Sequence, residues 1–362
     1  LRLRRFTKFA SSREAWPQVR VWVTGAVTLD PLVPALEVAL VRRGLRPTVQ
    51  AGGFGQMHQD LRDPGGAMAA FEPDFVVLGY DVAALAAELV QPRRTMSDVD
   101  GVIRTGVERL AGSIRAWRQG SSSVVFLHTV LSDGLRRWGF FDRQRPDGAA
   151  HVQAEINRAL VDLCRDVKNV YLLDLADLAA GLGADRFHDP RRRLYGRFPA
   201  SADAMTAWAV LAADAVYVAR RGPRKVVVCD LDDTMWGGIV GELGPKGVQV
   251  GHDFPGNAFL EFQQVLLDLV AQGIVLALCS KNDPETALAV FREHPHMAVR
   301  LDDVAAYRIG WEPKPTSLVE LAKELNLGID SLVFLDDSPQ ERAAVRQALP
   351  QILTPELPAD PV

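Results

Sequence analysis

Two carboxylates one residue apart, Asp230 and Asp232, follow the apolar run Lys225–Cys229 in the sequence Val-Cys-Asp-Leu-Asp-Asp-Thr. Positions two apart on an extended chain face the same way, so one acid can attack while the other gives or takes a proton. Paired carboxylates repel, which raises one pKa unless a cation neutralises them, and a hard divalent ion such as Mg²⁺ suits that task. A second apolar run, Leu332–Leu335, delivers Asp336 and Asp337, either of which can complete an oxygen shell. A third, Ile274–Cys279, leads into Ser280-Lys281-Asn282-Asp283-Pro284, where a hydroxyl and successive amides can hold phosphate at a helix N-terminus. Ser280, Lys281, Asn282 and Thr234 are therefore phosphate-binding candidates. Lys314, between Pro313 and Pro315, supplies a positive charge just ahead of a helix expected from Thr316. Singly, each has a plain alternative: an aspartate or serine as a helix cap, a lysine as a solvated charge. Together, at intervals of 50, 34 and 22 residues along the chain, they describe one phosphoryl-transfer site.

The elements that must position these residues are legible as alternating apolar runs and amphipathic stretches. Val21–Thr24, Thr48–Gln50, Phe75–Leu78, Val124–Leu127 and Val170–Leu173 read as buried strands, with helices such as Leu32–Arg43, Val102–Arg118 and Ala150–Val167 between them. That alternation predicts a parallel sheet covered on both faces. A second series follows: Lys225–Cys229 strand, Ala258–Gln272 helix, Ile274–Cys279 strand, Pro284–His294 helix, Thr316–Leu325 helix and Leu332–Leu335 strand. The charged Gly-Pro segment 220–224 separates them, giving domains 1–222 and 223–362. The intervals from Thr234 to Ile274 and from Lys314 to Asp336 are too short for an inserted cap domain. The site is therefore expected to be open or roofed by the first domain.

Composition agrees with two globular domains. The 362 residues are 48% hydrophobic and 24% charged, which excludes disordered and fibrous classes. A net charge of −4 offers no basic field for nucleic acid. The apolar runs are short for a membrane span, and the opening Leu-Arg-Leu-Arg-Arg-Phe lacks a signal-peptide core, so a cytoplasmic protein is expected. Three cysteines, Cys164, Cys229 and Cys279, make neither a disulfide framework nor a zinc pattern.

The order Asp-x-Asp-x-Thr, Ser, Lys, Asp-Asp resembles the four motifs of the haloacid dehalogenase (HAD) superfamily. More narrowly, the runs 230–242, 279–283, 301–314 and 334–342 resemble the FkbH-like proteins of polyketide biosynthesis, as do the shorter segments 28–32, 71–75 and 354–358. The HAD resemblance implies that Asp230 is the nucleophile and Asp232 the acid and base. It also implies that Ser280 and Lys314 hold the phosphoryl group, and that Mg²⁺ sits between Asp230, the Asp232 carbonyl and Asp336 or Asp337. The FkbH-like resemblance implies capture of the glyceryl group of D-1,3-bisphosphoglycerate as a thioester, its dephosphorylation, and transfer to the phosphopantetheine thiol of an acyl carrier protein. A thiol near the aspartates is then wanted, and Cys229 and Cys279 both qualify by position. Alternation turns Cys229 away from a pocket that Asp230 enters. Trp236-Gly237-Gly238 reads either as a flap with an aromatic tip that covers the phosphate or as a turn with a packing tryptophan. The alternative function is a HAD small-molecule phosphatase without acyl transfer.

The first domain, with its late Asp185-Arg-Phe-His188, resembles the SGNH-hydrolase-like, flavodoxin-like α/β domain that precedes the HAD unit in these proteins. Its first strand ends Thr24-Gly25-Ala26-Val27-Thr28, without the Gly-Asp-Ser nucleophile of true SGNH enzymes. Either Thr24 or Thr28 substitutes for that serine or, the reading the departure favours, the domain is non-catalytic and roofs the HAD site or docks the carrier protein, with His128 and His188 structural.

Overall fold

The structure, a computed structural model, describes residues 16–90, 98–131, 138–197, 200–358 and 360. The charged opening run 1–6 lies outside them. Two compact units divide after Arg221.

The first unit is built on β1 (Gln18–Gly25), β2 (Arg46–Ala51), β3 (Phe75–Gly79), β4 (Val124–His128) and β5 (Val170–Leu173). They pair in parallel in the order β2-β1-β3-β4-β5. Both faces are covered, one by the helices Leu32–Arg42 and Ala202–Arg221, the other by Val99–Gly120 and Ala149–Asp166. The valine-rich strands follow from that double burial, since each side chain meets a helix whichever way it points. Helix Ala202–Arg221 is long and apolar enough to cross a membrane by length and composition. Ala204, Trp208, Ala209, Ala212 and Val216 are nonetheless buried in the first unit's core, so the helix serves as a core helix here. Direction reverses between β1 and β3, where Ala26 N donates to Gly79 O at 2.8 Å. A Cβ on Gly25 would stand 2.3 Å from that carbonyl, so only glycine admits this approach.

The second unit is a four-stranded parallel sheet in the order β8-β7-β6-β9, with β6 at Val226–Cys229, β7 at Val275–Ser280, β8 at Val304–Ile309 and β9 at Leu332–Leu335. The helices Gly256–Ala271 and Pro284–Glu293 cover one face; Lys314–Glu324 and Pro339–Ala348 cover the other. Between β6 and β7 lie only the short helix Val240–Leu243, a loop and the Gly256–Ala271 helix, so nothing the size of a cap domain is inserted there. Helix starts are well marked: Asp283 and Ser338 accept from Thr286 N and Glu341 N, with Pro284 and Pro339 in the first turns. The helix expected from Thr316 begins at Lys314, since Pro315 occupies its first turn without losing a hydrogen bond.

Candidate active site

The four sheet strands of the second unit end on one edge, and the charged residues of the sequence pattern collect there. Asp230 leaves β6, and its backbone N–H still pairs with Leu335 O at 2.9 Å. Asp336 leaves β9 fully buried. Lys314, 3% exposed, reaches between them: its Nζ is 2.9 Å from Asp230 Oδ2 and is also paired with Asp336 Oδ2. Asp336 Oδ1 accepts from Ser338 N at 2.8 Å. Burial is the main influence on Asp230, with Lys314 opposing it and Asp336 reinforcing it, and its pKa is pushed up to about 6. Burial works against the Lys314 charge, but Asp230 and Asp336 outweigh it and hold the ammonium protonated. Asp337, half-buried and also raised in pKa by burial and by Asp336, exchanges hydrogen bonds with Thr234: hydroxyl to Oδ1 at 3.3 Å and Asp337 N to the hydroxyl at 3.1 Å.

Asp232 is held by three donors. Oδ1 accepts from Trp236 Nε1 at 2.9 Å and Val240 N at 3.0 Å, and Oδ2 accepts from Asn282 Nδ2 at 3.0 Å. The same Asn282 amide lies 3.1 Å from Ser280 Oγ, so it ties the β6 loop to the β7 loop. This corrects two expectations. Trp236 is wholly buried, edge-on to Phe291 at 5.6 Å, and is not a flap tip over phosphate. A large apolar ring gains more from that core than from solvent, and its single donor finds a carboxylate. Lys281 points away to an ion pair with Glu341 at 2.6 Å and does not enter the site. The Asp232 carboxylate, turned to its three donors, is not part of the metal-type cluster of Asp230, Asp336 and Asp337.

Neither cysteine offers an open thiol. Cys229 is fully buried with Val227 and Leu231 on one sheet face, and Cys279 is buried with Ala277 and Val228 on the other. Burial raises the Cys229 pKa well above its ordinary value and pushes Cys279 up to about 12. The expectation of a nucleophilic thiolate at either position is thus not met by this geometry, because an apolar core disfavours the charged form.

Two supporting residues escaped the sequence reading. Buried Arg342 donates from Nη1 to the carbonyls of Asp336 and Asp337, at 2.7 and 2.6 Å, and pairs with Glu356 at 2.8 Å. Buried Gln263 donates to Met235 O and accepts from Ala298 N, bracing the loop after Asp232. Arg342 and Glu356 both fall in segments already singled out by resemblance, which was the available signal. Gln263 sits within a plain amphipathic helix and gave none.

The residues fit a divalent cation. One oxygen from each of Asp230, Asp336 and Asp337 lies within 4.8 Å of the others, and the buried Oδ1 of Asp230 has no hydrogen-bond partner among the described residues. Three carboxylates facing one lysine leave two negative charges in excess, and the donor set is all hard oxygen.

In the first unit, Asp185 is exposed, and no hydrogen bond joins it to His188 among the described residues. Thr24 donates to Asp60 at 2.6 Å, so its hydroxyl is committed. His128 is buried, with Nδ1 2.9 Å from Thr129 O and Nε2 accepting from Tyr80 N, and burial lowers its pKa to about 4.

No protein-family model and no curated protein sequence matches the chain. Among solved structures, it is similar to the N-terminal part of the protein BF1531 from Bacteroides fragilis, which contains a phosphatase domain and was crystallised in complex with Mg. Identity is 27%, the match covers 99% of this chain and 94% of that one, and the TM-score is 0.86. An acetyl xylan esterase (15% identity, 56% of this chain and 99% of that one, TM-score 0.35) and a GDSL-like lipase from Parabacteroides merdae (11%, 56% and 97%, TM-score 0.35) also match. The likeness to the phosphatase-containing structure runs over nearly the whole of both chains.

Proposed function

We propose that this protein is a Mg²⁺-dependent HAD-type phosphohydrolase. We further propose that it works on a glyceryl group drawn from D-1,3-bisphosphoglycerate, delivering it to the phosphopantetheine thiol of an acyl carrier protein for polyketide biosynthesis. The observation that carries the first part is the convergence of Asp230, Asp336 and Asp337 around an unpartnered buried carboxylate oxygen, with Lys314 alongside. The second part is supported by the resemblance of the motif runs to FkbH-like proteins.

In this reading Asp230, Asp336 and Asp337 hold the cation, which supplies charge neutralisation as two anions approach. Asp230 attacks phosphorus, forming an aspartyl-phosphate and breaking the bond to the substrate oxygen. Asp232, oriented by Trp236, Val240 and Asn282, protonates that leaving oxygen and then takes a proton from the water that hydrolyses the intermediate. Ser280 and Lys314 hold the phosphoryl oxygens. Because Cys229 and Cys279 are sealed and protonated, we assign acyl capture to the carrier's own thiolate: its sulfur forms the bond to C1 as the 1-phosphate leaves.

Intact mass spectrometry of a carrier protein incubated with the enzyme, bisphosphoglycerate and Mg²⁺ tests both parts. The expected result is free phosphate together with a carrier bearing unphosphorylated glyceryl. Phosphate release without an acylated carrier leaves the phosphatase and removes the acyl transfer, and no Mg²⁺-dependent release removes both.

A further inference from the structure

Asp336 and Asp337 are consecutive, and successive residues of an extended chain face opposite ways. One carboxylate oxygen from each nonetheless lies in the same cluster with Asp230, within 4.8 Å. The backbone therefore turns as it leaves β9, and the turn has to be held. Of that pair, Ser338 N touches Asp336 and Thr234 touches Asp337. Arg342 holds both: a single nitrogen, Nη1, donates to the carbonyl of Asp336 at 2.7 Å and to that of Asp337 at 2.6 Å. Drawing two successive carbonyls to one donor breaks the alternation that would otherwise send the two carboxylates to opposite faces.

The guanidinium is itself aimed. Its other edge, Nε and Nη2, donates to Glu356 Oε2 at 3.2 and 2.8 Å, which leaves Nη1 facing the carbonyls. Glu356 also pairs with Arg346, whose Nη2 donates to Thr354 O at 2.9 Å. The segment that carries Glu356 is fixed along its length. Leu353 bridges Val333 in parallel, Phe334 N donates to Leu353 O at 2.9 Å, Leu353 N donates to Leu332 O at 3.2 Å, and Ile352 is buried. Residues 352–356 thus extend the sheet beyond β9 and end on the arginine that holds the two acids.

We propose that Arg342 is a positioning residue for the divalent cation, and that Glu356 tunes the cation's affinity through it. This rests on the cation reading of Asp230, Asp336 and Asp337. Arg342 acts through the backbone, by keeping two neighbouring carboxylates on one side, and Glu356 acts by keeping Nη1 turned toward that backbone. Hydrogen-bonding partners behind metal-ligating groups typically set affinity by about tenfold to a hundredfold.

Mn²⁺, another oxygen-seeking divalent ion, serves as the probe, titrated into the full chain with the free ion read from its electron paramagnetic resonance signal. Arg342→Lys keeps the charge but places one nitrogen where the guanidinium has three, and is expected to raise the Kd about tenfold or more. Glu356→Gln, at an exposed position, raises it about threefold to fivefold and adds nothing in the Arg342→Lys background. Val345→Ala, fully buried on the same helix, lowers the urea midpoint and leaves the Kd unchanged. An unchanged Kd in Arg342→Lys, or an equal rise in Val345→Ala, overturns the positioning role, and an unchanged Kd in Glu356→Gln overturns the tuning. If Arg342→Lys fails to fold, the Glu356→Gln value decides alone. A wild-type chain that binds no Mn²⁺ overturns the cation reading itself, whereas binding by wild type with unaltered variants overturns this inference alone.

Discussion

The indole N–H of Trp236 donates to Asp232 Oδ1 at 2.9 Å from a ring buried against Phe291. A core residue thereby fixes the direction of the proposed acid and base. Trp236→Phe keeps the ring and removes the donor. The expected outcome is a kcat lowered about tenfold with KM little changed, and a stability loss of about 1 kcal/mol in urea denaturation. An unchanged kcat would show that Val240 N and Asn282 suffice to hold Asp232.

Lys314 is the sole cation bonded to Asp230 and Asp336 among the described residues. Lys314→Met leaves two buried carboxylates facing each other, and removing one partner from such a group costs about 3–5 kcal/mol. Thermal denaturation in EDTA is expected to show a large fall in Tm, partly reversed by Mg²⁺. Equal falls with and without Mg²⁺ would mean that the cation does not enter between these acids.

The thiols can be counted chemically. A shift of Cys279 from 9.0 to about 12 lowers the thiolate fraction near pH 8 about a thousandfold, and burial raises Cys229 well above its ordinary value too. Iodoacetamide at pH 8 should alkylate Cys164, the half-buried one, before either of the others, and all three only after denaturation. Native labelling of Cys229 or Cys279 at the rate of a free thiol would reopen the enzyme-bound thioester route.

Asp230 gives a pH signature in the metal-free protein. Its folded pKa, about 6, stands above its ordinary 3.8, so the folded state binds the proton more tightly than the unfolded chain does. The resulting stabilisation, up to about 3 kcal/mol, is complete below pH 4 and is lost as pH rises through 6. Urea midpoints in EDTA, wild type against Asp230→Asn, should show this difference shrinking across that window. A difference that grows with pH would contradict the sign.

How far these features can be read from residues alone depends on what each residue contacts. The runs Val226–Cys229 and Leu332–Leu335 announce themselves because central parallel strands are apolar on both faces. β8 went unread: Val304–Ile309 is an edge strand whose Ala305 and Tyr307 face solvent, so its pattern is diluted. The helix Pro339–Ala348 was missed too, since most of its residues are polar and few are buried. At the site, residue type and spacing brought out Asp230, Ser280, Lys314 and Asp336. They could not tell that Lys281 leans toward Glu341, sixty residues on, or that Trp236 turns inward beside two glycines that suggested a hinge.

Asn282 touches both Asp232 Oδ2 and Ser280 Oγ. One amide therefore links the proposed proton-transfer group on one strand tip to the proposed phosphate-binding group on the next, so the two are expected not to be thermodynamically independent. Asp232→Asn and Ser280→Ala should each perturb the other's contribution, so a double-mutant cycle on kcat/KM is expected to show a coupling of about 0.5–3 kcal/mol that vanishes in an Asn282→Ala background. The loops after β6 and β7 would then evolve as one inherited module, in which a change at either position is tolerated only with a compensating change at the other.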